Sequence, residues 1–571
     1  MLLPRHSILL FLSTLYTHSF ASPISVRNET INWNFPEIPP STSLTWYPCY
    51  SGHFCAMLDV PLDYLNPKLG RAFVPIIKKP AVSSNYKGIV FLNPGGPSES
   101  GVQFLLDVSD EVKDAVGSDY DFAAWEPRGI GYSIPAVNNC QPPDSNLTKS
   151  KRSLDNLKIY GPNMSLEDLI DADTLNQVMK QGEDCARYMG GPLDAGPHMT
   201  TATVVRDLIT IVDAYAASSD GKRASQDPKL LNYWGFSYGT IIGQTFASMF
   251  PDRLGRVVID GVVDPDLYIA ADINALYTID QDKVFSTFFL YCHQAGPTLC
   301  PFYTGKTPVD IYNRFESMLS DLNFTYAKQQ HWENATAMIS VVEILKDALR
   351  PTSYDPMKWF PVLGTGLVTV DTYVKSSNLS SAAILDILSA LSAPSSGSGG
   401  GDPGLPPGDP TPLNSLTRFL GVACPDTGNR LFNSSFEEYT KRLAVSQRQS
   451  WIGGTRVWQE VLPCLGWSIR SDDVFEGPFG GRTGGRFLAV GNRLDPVTPL
   501  VKYVSLLFCF TGLVSCGVRI HELRRRLTLQ FEQCAESCSD LPGCATTHDR
   551  GHRCKAFPST LGTGRDFLLA N

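Results

Sequence analysis

Leu230-Leu231-Asn232-Tyr233-Trp234-Gly235-Phe236-Ser237-Tyr238-Gly239-Thr240 is the stretch on which the reading of this chain turns. A strand-like run, Leu230 to Trp234, enters a G-x-S-x-G pentapeptide. A helix-like run, Thr240 to Phe250, leaves it. A serine on a tight strand-to-helix turn has a strained backbone and an exposed hydroxyl. The flanking glycines are needed because a Cβ there would strike the neighbouring strand and helix. The helix N-terminus also favours developing negative charge. Ser237 is therefore the candidate nucleophile.

Outward from this stretch the chain keeps an α/β rhythm. Cys55 to Val60 and Arg71 to Lys78 read as strands of a β-rich entry. Gly88 to Leu92 is a continuous apolar run, as in a strand buried on both faces, and it ends in Asn93-Pro94-Gly95-Gly96-Pro97. Tyr120 to Trp125 is the next strand. Thr201 to Ala217 reads as a helix with Val204, Leu208, Ile211, Val212 and Tyr215 on one face. Arg256 to Val263 and Arg486 to Gly491 are further buried strands. Strands alternating with helices predict a mostly parallel sheet covered by helices on both faces. Between about 266 and 415 helix-like segments take over, for example Lys283 to Tyr291, Ile311 to Leu322 and Val341 to Leu349. They predict an inserted helical cap, closed by a Gly/Ser/Pro-rich loop over 395–412. The core is expected over 22–265 and is completed by 416–571.

At 571 residues, 43% apolar and 18% charged, the chain is globular and too long for one ordinary core. A formal charge of −9 speaks against nucleic acid as a partner. Residues 1–21 read as a secretory signal, with Ile8 to Tyr16 as the apolar region, so no membrane span is expected in the mature chain. Seven N-x-S/T sequons, at Asn28, Asn146, Asn163, Asn323, Asn334, Asn378 and Asn433, fit a secreted, extracellular glycoprotein. So do 14 cysteines in close pairs such as Cys49/Cys55 and Cys292/Cys300, which predict disulfides. No C-x-x-C has a matching partner pair, so neither zinc nor another cofactor is expected.

A serine hydroxyl needs a general base within hydrogen-bond reach and an acid to orient that base. In a strand–elbow–helix fold the order is Ser, then Asp or Glu, then His. Asp495 follows the buried strand Arg486 to Gly491; Asp473 is the alternative, with no such strand before it. The histidines after Asp495 are His521, His548 and His552. His552 sits in a loop context after Gly551, His548 competes with it, and His521 lies in a charged run. The oxyanion needs two N–H donors. One is the backbone of Tyr238; the other comes from the loop Asn93 to Pro97.

Asn93-Pro94-Gly95-Gly96-Pro97, Glu126-Pro127-Arg128-Gly129-Ile130-Gly131-Tyr132-Ser133, the elbow with Thr240, Asp260-Gly261-Val262-Val263-Asp264-Pro265 and Leu494-Asp495-Pro496-Val497-Thr498-Pro499 occur in this order. Together they resemble the secreted tripeptidyl aminopeptidase branch of the α/β-hydrolases, relatives of prolyl iminopeptidase. The resemblance implies an α/β-hydrolase fold with an inserted helical cap. It implies Ser237 as nucleophile, Asp495 as acid, His552 as base and the N–H groups of Gly96 and Tyr238 as oxyanion hole. It further implies a metal-free serine exopeptidase that releases short peptides from free N-termini, the cap restricting the cleft to chain ends. An esterase or amidase of the same fold, or a catalytically impaired homologue, is the alternative.

The chain departs from the family pattern twice. Ser98-Glu99-Ser100 replaces glycine-rich sequence after Pro97, which puts Glu99 where it meets a substrate ammonium group or crowds the cleft. And 57 residues (552 − 495) separate the acid from the base, longer than the family pattern. The excess lies near 503–520 and reads as non-coding sequence carried into the chain.

Overall fold

The computed structural model describes residues 33–137, 140, 172–271, 278–322, 335–376, 379–391, 415–432, 434–454, 461–500 and 510–518. The expected signal, the loop over 395–412, all seven sequons and the three candidate base histidines lie outside the described residues.

Nine strands form one sheet in the order β1-β2-β3-β5-β4-β6-β7-β8-β9. Tyr47–Cys49 (β1), His53–Pro61 (β2) and Arg71–Lys79 (β3) run antiparallel. Gly88–Asn93 (β4), Tyr120–Trp125 (β5), Leu231–Phe236 (β6), Leu254–Asp260 (β7), Gly481–Asn492 (β8) and Phe510–Val518 (β9) are parallel to one another. β5 joins the two parts by pairing antiparallel with β3. β4 and β5 are buried at every residue, as their unbroken apolar runs require in a sheet covered on both faces. The anomalous stretch contributes edge strand β9, which pairs with β8 from Phe487↔Leu513 to Asn492↔Val518.

Parallel neighbours need crossovers, and helices supply them. Gly101–Val116 (α1), Ala172–Met189 (α2), Thr201–Ala217 (α3), Ser219–Arg223 (α4) and Gly239–Met249 (α5) interleave with the strands. Thr200 caps α3 by accepting the Thr203 N–H. β7 ends at Asp260 rather than Val263. Gly261 takes φ +66°, and Asp264 then caps a short helix, Pro265–Ile269 (α6).

Between β7 and β8 the described residues form helices and no strand. Gln281–Leu299 (α7), Pro308–Asp321 (α8), Ala335–Tyr354 (α9), Pro356–Lys375 (α10) and Ser381–Leu391 (α11) share an apolar core of their own. Phe288, Phe302, Leu345, Leu367 and Ile387 are fully buried in it. Ser415–Asp426 (α12) and Phe436–Gln449 (α13) follow. Of these, α12 belongs to the sheet core, through Leu420, Val422 and Cys424.

Disulfides join Cys49 to Cys55 and Cys292 to Cys300, as the spacing suggested. Two more, Cys140–Cys185 and Cys424–Cys464, span 45 and 40 residues, which local spacing does not reveal. Among the described residues, no helix is long and apolar enough to cross a membrane. None of them forms a cluster of His, Cys, Asp and Glu able to hold a metal ion.

Candidate active site

Ser237 lies at the turn between β6 and α5 with φ +52°, a left-handed conformation that costs a non-glycine residue free energy. The turn is held from several sides. The Ser237 N–H donates to the Asp260 carbonyl at 3.0 Å, and the Thr240 N–H and hydroxyl donate to the Ser237 carbonyl at 2.9 and 2.6 Å. The Thr240 hydroxyl also accepts the Val263 N–H at 3.0 Å. Both elbow glycines are sterically required. A Cβ on Gly235 would stand 2.5 Å from the Gly239 carbonyl oxygen, and one on Gly239 would stand 2.8 Å from the Asn93 carbonyl oxygen.

The sheet order brings the second loop to the same place. β4 lies beside β6, with Asn93 in register with Gly235. The residues after Asn93 therefore leave the sheet next to Ser237, at the point where the strand order reverses. Gly95 and Gly96 have φ +106° and +103°. A Cβ on Gly95 would stand 2.5 Å from the Phe236 carbonyl oxygen and 3.0 Å from both Ser237 Cβ and the Tyr238 nitrogen. This packing sets the loop against the Tyr238 N–H.

Ser100 explains part of the departure from the glycine-rich pattern. It caps α1 by accepting the Gln103 N–H at 3.0 Å, and it donates to Glu126 Oε1 at 2.5 Å. Glu126 is thereby a buried anchor of the loop. Arg128 makes a buried pair with Asp207, 2.7 Å from Nε to Oδ2 and 2.8 Å from Nη2 to Oδ1. Glu126 and Arg128 brace the fold. Glu99 keeps an exposed side chain, yet protein atoms crowd its carboxyl, and that desolvation raises its pKa.

Asp495 follows β8 and is 8% exposed. Its Oδ1 accepts the N–H groups of Val497 at 3.0 Å and Thr498 at 2.7 Å. A Cβ on Gly261 would stand 3.0 Å from Thr498 Oγ1 and 3.8 Å from the Ser237 nitrogen, so the Asp495–Thr498 turn and the elbow meet across Gly261. Asp473 is used elsewhere, pairing with Arg206 of α3 at 2.9 Å.

Two further carboxyls are buried at the site. Asp260, the last residue of β7, is 3% exposed. Burial raises its pKa to about 7, and the nearby Asp495 charge adds to the rise. The Trp234 indole lies close enough to oppose this, but its N–H makes no hydrogen bond. Asp426, at the end of α12, accepts the Thr201 N–H at 2.7 Å, the Thr201 hydroxyl at 2.6 Å and the Tyr268 hydroxyl at 2.9 Å. Thr201 Oγ1 in turn lies 2.5 Å from the Tyr238 phenol oxygen. With its own proton given to Asp426, Thr201 accepts from Tyr238. Burial raises Asp426 to about 6, against these bonds. Asp260 opens the Asp260-Gly261-Val262-Val263-Asp264-Pro265 motif; a lone acid at the end of a helix, such as Asp426, carries no local signal.

A mostly parallel sheet whose elbow serine, glycine loop and Asp495 turn meet at one tip defines the α/β-hydrolase fold. No family model matches the chain. It is similar to the tripeptidyl aminopeptidase of Streptomyces lividans, 34% identical over 240 residues, 40% of this chain and 38% of that protein. Serine protease Hip1 of Mycobacterium tuberculosis is 30% identical over 230 residues, 39% of this chain and 40% of that protein. Carboxylesterase B of the same species is 30% identical over 156 residues, 27% of each. The chain spans less than half the length of the curated relatives it matches. Among solved structures, the α/β-hydrolase MGS-M2 from a deep-sea metagenome covers 78% of this chain and 86% of its own, at 10% identity and a TM-score of 0.26. At that score the fold rests on the strand order itself.

Proposed function

We propose that the chain is a secreted serine hydrolase that releases short, tripeptide-like products from free N-termini. The observation that carries the proposal is Ser237 at φ +52° on a strand-to-helix turn, with the glycine loop on one side and the Asp495 turn on the other. Similarity to tripeptidyl aminopeptidase and serine protease Hip1 supports a peptidase. Four disulfides among the described residues support an oxidising, extracellular setting.

In this reading Ser237 Oγ attacks the scissile carbonyl while His552 takes its proton. Asp495 uses Oδ1 on its own turn and offers Oδ2 to the imidazole. The N–H groups of Gly96 and Tyr238 receive the oxyanion. His552 then protonates the leaving amine. Water attacks the acyl-enzyme, returning the proton to Ser237 through the same base. Glu99, at the mouth of the loop, is a candidate to receive the substrate ammonium group. The helices between β7 and β8 would close the cleft to chain ends.

An esterase is the second reading, favoured by similarity to carboxylesterase B. Labelling with a fluorophosphonate probe and mapping the adduct tests the chemistry common to both. Modification of Ser237, lost in Ser237→Ala, is expected. An unlabelled native protein would overturn the serine-hydrolase reading.

A further inference from the structure

Asp260 has no part in the mechanism above, yet it occupies the same sheet tip. It lies in register with Phe236 on β6 and Val490 on β8, and its carbonyl holds the Ser237 N–H. Its Oδ1 is buried and has no hydrogen-bond partner among the described residues. The Gly261 N–H beside it is committed to the Val490 carbonyl at 3.1 Å. Of the groups that face it, β6 offers the neutral Trp234 indole, and the turn after β8 offers Asp495. No lysine or arginine pairs with it among the described residues.

We propose that Asp260 and Asp495 form an acid pair beneath the nucleophile, in which Asp260 keeps the proton and Asp495 the charge. This makes Asp260 a positioning residue for the acid of the triad, and it rests on the triad reading above. Two neighbouring carboxyls resist ionising together, and unequal surroundings decide which one holds the proton. Asp495 accepts two backbone N–H groups through Oδ1. Burial of Asp260, whose Oδ1 has no hydrogen-bond partner among the described residues, favours its neutral form over the opposing Trp234 indole and Gly261 N–H. The rise of Asp260 to about 7, with Asp495 among its causes, agrees with this assignment. Above that pH both carboxyls of the pair carry charge, and their repulsion displaces the Asp495 carboxylate that orients the base.

Two measurements on the full chain test the pair. The first is kcat and KM from pH 5 to 9 for wild type and Asp260→Asn. The wild-type kcat is expected to fall roughly tenfold on an alkaline step near 7, KM changing little. Asp260→Asn, which mimics the neutral carboxyl, should lose that step and keep a plateau within about threefold of wild type. Superimposable profiles would overturn the proposal.

The second needs no activity. The stability of Ser237→Ala against unfolding is followed from pH 4 to 8, alone and with Asp495→Asn. Removing the Asp495 charge should move the Asp260 stability step to lower pH; an unmoved step would overturn the pair. Hydrolysis by Ser237→Ala at the wild-type rate would sink the triad reading instead, leaving the stability measurement to judge the pair alone.

Discussion

Ser237 holds a backbone conformation that its side chain alone disfavours. Ser237→Gly should relieve that strain, gaining up to about 1 kcal/mol of stability while abolishing hydrolysis. Thermal unfolding beside a rate assay checks both halves. The buried acids give a second expectation. Asp260 is raised to about 7 and Asp426 to about 6, against about 4 in an unfolded chain. Between these values the folded chain binds more protons than the unfolded one, so their contribution to stability falls as pH rises from about 4 to 7. His53 and His198, lowered chiefly by burial, act in the opposite direction below about 6.5. The difference between wild type and Asp426→Asn isolates one group: its pH slope should lie between about 4 and 6. The same substitution disturbs the Thr201–Tyr238 link, so kcat should fall about tenfold with KM nearly unchanged. An unchanged kcat would show that the link does not position the Tyr238 N–H.

The elements that sequence pattern revealed are those whose period and length were unambiguous. Thr201–Ala217 and Tyr120–Trp125 fall on the expected residues because an apolar stripe and a short buried run each have one reading. The end of β7 was misplaced because Val262 and Val263 continue the apolar run, and only the positive φ of Gly261 ends the strand. The elbow turn at Ser237 and the glycine loop were legible because the turn geometry demands those residue types at fixed spacing. Asp426 was not, because its partners Thr201 and Tyr268 stand 225 and 158 residues away. At this scale Gly95→Ala is the informative substitution. It forces a Cβ against the Phe236 carbonyl at a φ that only glycine takes readily. Hydrolysis should fall by about 100-fold, read as kcat, while fluorophosphonate labelling of Ser237 slows in parallel.

Across the whole molecule, the C-terminal half completes what the N-terminal half begins. β8 and β9 close the sheet, the Asp495 turn meets the elbow, and α12 delivers Asp426 to Thr201, whose hydroxyl meets the Tyr238 phenol. The Cys424–Cys464 disulfide pins α12 two residues before Asp426. Replacing both cysteines by alanine should cost about 2–4 kcal/mol in denaturant unfolding, and it should lower kcat through the displaced Asp426. Strand β9 gives the anomalous stretch a place at the sheet edge, parallel to β8. The central claim is a serine hydrolase that acts on free N-termini. The most direct measurement is hydrolysis of a free-amine Ala-Ala-Pro chromogenic tripeptide beside its N-acetylated twin, with Ser237→Ala as control. Turnover of the free-amine substrate alone, lost in the variant, is the expected result; equal turnover of both substrates, or turnover that survives Ser237→Ala, would contradict it.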